Sequence, residues 1–141
     1  MKAYRHRVQY YETDKMGIVH HSNYIRWMEE ARIAFFDAIG WSFKHIEEMG
    51  IISPVSAVEC RYKAPTRFDD FVDIKVKILE FRGVKLKLGY IMTREGEVVC
   101  EGITEHGFLN QEGKIISLKR NYPDLYADMV AQMEKDQTEE I

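Results

Sequence analysis

The sequence predicts an α+β domain in which one antiparallel sheet packs against a single long helix. Three observations carry this. Tyr24, Trp27, Met28, Ala31, Ala34, Phe35, Ala38 and Ile39 recur at helical spacing between about Asn23 and Ile39. Further along, Val72, Ile74, Val76 and Ile78 alternate with Asp73, Lys75 and Lys77, while Val84, Leu86, Leu88 and Tyr90 alternate with Lys85 and Lys87. That period of two marks half-buried strands. Glu95-Gly96 and Gln111-Glu112-Gly113 read as short turns, and strands joined by short turns lie antiparallel.

In chain order, residues 3-11 alternate loosely and predict a first strand. Residues 12-22 form a loop containing Gly17. Ser22 or Asn23 can cap the long helix, and Gly40 suits the position just past its end. Ile25, Ile33 and Phe36 widen the apolar stripe, leaving Arg26, Glu29, Glu30, Arg32 and Asp37 as the polar side. So broad a face demands burial, which a helix lying in a curved sheet would provide. Ser42 to Met49 predicts a shorter helix stopped by Gly50, and Val55 to Ala64 a strand. A strand from Glu97 to about Leu109 follows the Glu95-Gly96 turn, then a short one near Ile115-Ile116. Pro123 opens a last helix. The polar tail from about residue 134 is expected to fray.

The 141 residues suit one domain, 1-141, and 45% apolar with 30% charged residues predicts a packed core. A net charge of -3 gives no reason to expect nucleic acid as a partner. No apolar run approaches the ~20 residues of a membrane span, and Met-Lys-Ala-Tyr-Arg-His-Arg lacks a signal-peptide stretch. Cys60 and Cys100 lie far apart in sequence and fit neither CxxC nor a disulfide framework. They read as buried apolar filler in a reducing compartment, so a cytoplasmic location is expected.

The chemistry-bearing residues concentrate in the loop. Glu12, Asp14, His20, His21 and the start of the long helix lie within a dozen residues. A helix start leaves about four N–H groups without partners and carries partial positive charge, so it can stabilise the oxyanion of an attacked acyl carbonyl. A nearby carboxylate can activate water or attack directly. The same residue types also serve as caps and solvated side chains. Asp14, His20 and His21 are metal-ligand types, but without a recognised spacing; no metal or cofactor is assigned. Gly40-Trp-Ser42-Phe-Lys44 starts like a serine-hydrolase elbow but lacks the final glycine. Asp69-Asp70 reads as a turn. His6, His45 and His106 are isolated and read as surface or satisfied core.

The stretch Tyr10-Tyr-Glu-Thr-Asp14-Lys-Met-Gly17-Ile-Val-His-His21-Ser-Asn-Tyr24-Ile-Arg-Trp-Met-Glu-Glu30-Ala31-Arg32, with Arg61-Tyr-Lys-Ala-Pro65-Thr-Arg-Phe-Asp69-Asp70 downstream, resembles the hotdog-fold acyl-CoA thioesterases of the 4-hydroxybenzoyl-CoA thioesterase type. The similarity covers nearly the whole chain. It implies a hotdog fold, an antiparallel sheet wrapped around a long central helix. It also implies an acyl-CoA substrate, no cofactor, and assembly as a homodimer or homotetramer with sites between chains. By the same resemblance Asp14 matches the catalytic carboxylate. His21 falls where many members have histidine, and its backbone N–H would polarise the thioester carbonyl. Tyr10 matches a tyrosine near the carboxylate in some members, and Gly17 would allow close backbone approach. Glu12 receives no role. The hydroxybenzoyl enzyme has tyrosine at the position of His21, so the general acyl-CoA members are the nearer comparison. Arg61, Lys63, Arg67, Arg82 and Lys85 are candidates to meet coenzyme A phosphates; each also reads as a solvated charge. A non-hydrolytic acyl-CoA-binding module and an acyl-carrier-protein thioesterase are the alternative functions.

Overall fold

The computed structural model describes residues 1–139. Strand β1 (Tyr4–Arg7) leads through a 3-10 turn (Tyr10–Glu12) and a loop to α1 (Ser22–Ala38) and the short α2 (Phe43–Glu48). Four strands follow: β2 (Val55–Tyr62), β3 (Phe71–Phe81), β4 (Leu86–Arg94) and β5 (Glu97–His106). The chain ends in α3 (Leu118–Asn121) and α4 (Pro123–Thr138). The sheet order is β1-β3-β4-β5-β2, with every neighbouring pair antiparallel.

The period-two pattern decides which sheet face is covered. Val72, Ile74, Val76 and Ile78 on β3, and Leu86, Leu88, Tyr90 and Met92 on β4, are buried. Tyr24, Trp27, Met28, Ala31 and Phe35 of α1 are buried with them in one core. The approach is close: a Cβ on Gly102 would lie 2.1 Å from the Met28 Cε, so the Met28 side chain would have to shift to admit one. α1 ends in a Schellman arrangement, with Trp41 N–H donating to Phe36 O at 2.9 Å and Gly40 N–H to Asp37 O at 3.1 Å, Gly40 at φ +90.

Several expectations need correction. The first strand covers only residues 4-7, because the chain tightens into the 3-10 turn that carries Glu12 inward. Neither Ser22 nor Asn23 caps α1 with its side chain; His21 is the cap residue. Asn23 instead donates from Nδ2 to Glu12 O at 2.9 Å, tying loop to helix. Arg32, assigned to the polar side, is buried with its guanidinium between His106 Nδ1 (2.9 Å) and Glu29 Oε1 (2.6 Å) and over the Phe43 ring. Burial, then the Arg32 charge, push His106 down to about 4. Residues 115-116 form no strand, only an isolated bridge from Ile115 to Leu109.

The stretch from residue 134, expected to fray, continues α4 to Thr138. β1 pairs only Phe71 to Ile74, which leaves the rest of the β3 edge open. α4 closes that edge: the buried Asp136 accepts the Ile78 N–H at 2.8 Å, and Lys77 Nζ donates to Glu139 O at 2.6 Å. An uncovered strand edge is a row of unpaired backbone groups, so this contact holds the helix end in place. Residues 140 and 141 of the expected tail lie outside the described residues.

Candidate active site

The loop between the 3-10 turn and α1 is built by its own backbone. Asp14 N–H donates to Ile18 O (2.8 Å), Gly17 N–H to Asp14 O (3.0 Å), and Val19 N–H reaches across to Thr66 O (2.8 Å). Gly17 sits at φ +78, and a Cβ there would meet nothing within 4 Å. Its contribution to the loop is the left-handed conformation. Asp14 Oδ1 accepts the Met16 N–H at 2.8 Å, which fixes the carboxylate by an Asx turn.

The two loop carboxylates are sorted by burial. Glu12 is 4% exposed and accepts three N–H groups, from Gln9 backbone (2.7 Å), His6 Nε2 (2.8 Å) and Trp27 Nε1 (2.7 Å). Burial alone would raise its pKa; those hydrogen bonds outweigh burial and hold the carboxyl below the usual range. Glu12 is therefore saturated and points into the core. Asp14 is half-buried and lines a cleft of about 410 Å³ together with His21, Tyr24, Tyr62 and Lys63. Apolar side chains of Met16, Ile18, Ala64 and Pro65 complete its walls.

At the other side of the cleft is the start of α1. The cap residue His21 makes no side-chain cap; His20 Nδ1 accepts the Ser22 N–H at 3.3 Å, and the His21 N–H has no acceptor among the described residues. Its carbonyl is held: Tyr62 O–H donates to His21 O at 3.0 Å. Tyr24 O–H shares a 2.7 Å hydrogen bond with Thr66 Oγ1 and packs edge-on against Tyr62. The cleft thus presents a carboxylate, a helix terminus with open N–H capacity, and aromatic walls. His20 does not line the cleft, its Nδ1 lying 2.9 Å from Ser22 Oγ.

A sequence profile of the thioesterase-like superfamily matches residues 8–139. The chain belongs to the thioesterase-like superfamily. YneP of Bacillus subtilis, provisionally described as an acyl-CoA thioesterase, is 34% identical over 119 residues, 83% of this chain and 86% of its own. The DHNA-CoA thioesterase of Staphylococcus aureus superposes with a TM-score of 0.92 at 29% identity, covering 99% of this chain and 96% of that one. A hypothetical protein of Aquifex aeolicus gives a TM-score of 0.82 at 35% identity over 88% of this chain and 98% of its own. The sheet and its buried helix are the hotdog architecture.

Within this thioesterase-like chain the other expected site residues scatter. Lys63 reaches the cleft because β2 has ended before it. Arg61 lines a separate groove on the opposite sheet face and meets Glu59 at 3.4 Å. Tyr10 is 76% exposed, edge-on to Phe68, and does not line the cleft. Arg82 and Lys85 flank the turn between β3 and β4, at the opposite end of the sheet from Tyr62 and Pro65. Met92, in register with Cys100 and through it with Tyr62, lies seven residues along the chain from Lys85, roughly 23 Å at about 3.3 Å per residue. Neither cation lines the Asp14 cleft. Tyr24, Tyr62 and Thr66 went unassigned; only folding brings residues so distant in sequence together.

Proposed function

We propose that this chain hydrolyses acyl-CoA thioesters, releasing coenzyme A and a carboxylic acid. One observation carries the reading: Asp14 and His21, whose N–H at the start of α1 has no acceptor among the described residues, line the same cleft. Asp14 Oδ1 is occupied by Met16 N–H, and Oδ2 has no partner among the described residues. That oxygen is available to take a proton from water or to attack the carbonyl carbon. The His21 N–H and the partial positive charge of the helix start would stabilise the oxyanion. Tyr62 contributes by fixing the His21 peptide. The thiolate leaving group needs little protonation, so the cleft requires no strong general acid. The test is release of free thiol from a panel of short, long and aromatic acyl-CoAs. Turnover of at least one is expected, and tight binding of acyl-CoA without hydrolysis would overturn the reading.

The reading extends to a homodimer or homotetramer acting in the cytoplasm. No helix among the described residues is long and apolar enough to cross a membrane. β2 is an edge strand whose Val55, Val58 and Tyr62 are 41–47% exposed, and unpaired edges with exposed apolar residues favour pairing with a second copy. A second chain is also the route by which Arg82 and Lys85 reach a phosphate at the cleft. Light scattering coupled to size exclusion is expected to give a multiple of the 16.6 kDa chain mass; a monomer at micromolar concentration would remove this part.

A further inference from the structure

The two cysteines, 40 residues apart in sequence, meet in the sheet. Cys60 lies on β2 opposite Gly102, and Cys100 on β5 opposite Tyr62, so they are diagonal neighbours on one face. Their sulfurs are 3.8 Å apart. Cys100 is fully buried, while Cys60 is partly exposed. From this juxtaposition we propose that Cys60 and Cys100 form an oxidisable dithiol, closed to an intrachain disulfide by a hydroperoxide, and that closure lowers turnover at the adjoining cleft.

The roles follow from placement. The Cys100 thiol, set against the Cys60 sulfur, lowers the Cys60 pKa against the opposing effect of partial burial. Cys60 is therefore the attacking thiolate. Its sulfur takes the distal oxygen of hydrogen peroxide as the O–O bond breaks; hydroxide leaves and is protonated to water, and Cys60 becomes a sulfenic acid. The Cys100 sulfur then attacks the Cys60 sulfur. The S–O bond breaks, and the oxygen departs as a second water with the Cys100 proton. Two thiols and one peroxide give one disulfide and two waters, the sulfurs having lost two electrons. A disulfide bond is about 2.05 Å long, so the sulfurs must approach by roughly 1.8 Å, drawing β2 and β5 together at this point. Tyr62, two residues from Cys60 on the same face, holds the His21 carbonyl. Displacing it disturbs the peptide at the start of α1. This last step rests on the proposed function; disulfide formation does not.

The experiment treats the folded, full-length protein with near-stoichiometric hydrogen peroxide, blocks free thiols, and reads mass and peptide map. Loss of two hydrogens with a Cys60–Cys100 cross-linked peptide, reversed by dithiothreitol, is expected. In Cys100→Ser, a dimedone-type probe is expected to trap Cys60 sulfenic acid. Two thiols still free, or only intermolecular cross-links, would overturn the pair. In parallel, turnover of wild type is expected to fall several-fold and recover on reduction, while Cys60→Ser keeps its turnover under the same treatment. Equal loss in Cys60→Ser would assign the effect to another group, such as the 76% exposed Met16 in the cleft wall, and overturn the coupling. Disulfide formation with unchanged turnover would do the same. The mass readout uses no thioester, so it stands apart from the fate of the functional reading.

Discussion

Asp14→Asn is expected to lower acyl-CoA turnover by about 10²–10⁴-fold, the usual contribution of a positioned base, with little change in melting temperature. Asparagine keeps a side-chain oxygen to accept the Met16 N–H, so the Asx turn and the loop survive. What is lost is the charge that removes a proton from water or attacks carbon. Because the cleft walls and the start of α1 are untouched, KM is expected to move far less than kcat. That split identifies a group acting in the transition state rather than in binding. Turnover within threefold of wild type would sink the role of Asp14. The two chemical routes separate by isotope. In a single turnover in oxygen-18 water, a water-activating Asp14 puts label directly into the product acid. An Asp14 nucleophile forms an anhydride, and label appears first in the Asp14 carboxyl when water attacks there. Digestion and mass measurement of the peptide containing Asp14 reads this, and label there establishes the anhydride.

The parts of this molecule that were legible in the sequence are those with a local period. The α1 stripe and the alternation of β3 are such cases, since a period of 3.6 or 2 is enforced wherever one face is buried. The loop carrying Asp14 was legible as a loop, and the spacing from Tyr10 to the helix start drew attention to it. What sequence order could not reveal is direction and distance. Glu12 and Asp14 are two residues apart and of one chemical type, yet one is saturated in the core and the other opens on the cleft. Arg32 reads as a polar-face residue until folding brings it His106 from 74 positions away. Asn23 looks like a cap but is used as a staple to Glu12 O. Cys60 and Cys100 meet through the register of β2 on β5, which no cysteine spacing encodes. The polar tail carries Asp136, whose partner is a backbone N–H on the open edge of β3. In each case the deciding contact is long-range, and local propensity is silent on it.

Glu12→Gln is expected to destabilise the fold by about 2–3 kcal/mol, the range for losing a charged hydrogen-bond acceptor, and to slow turnover through the loop. The geometry explains the size. Oε1 accepts from Gln9 N–H and His6, and Oε2 accepts the buried Trp27 Nε1–H. A glutamine can keep its oxygen on the first two donors only by aiming its NH₂ at the Trp27 N–H, setting donor against donor. The lost stability corresponds to a drop in melting temperature of roughly 6–12 °C for a chain of this size. A double-mutant cycle tests the mechanism: in a Trp27→Phe background the opposing N–H is gone, so the cost of Glu12→Gln is expected to shrink by about half. Equal cost in both backgrounds would show that the Trp27 bond is not the reason. Acid gives an independent reading. The folded pKa of Glu12 is depressed, so its contribution is complete above the unfolded-chain value of about 4.3 and is lost as pH falls through the lower folded value. The gap between wild type and Glu12→Gln is therefore expected to narrow below about pH 4. Asp14 enters through the backbone, because Glu12 O accepts both His20 N–H and the Asn23 amide. A loosened Glu12 frees both ends of the loop that aims the reactive carboxylate, and kcat should fall at a temperature where the variant is still fully folded.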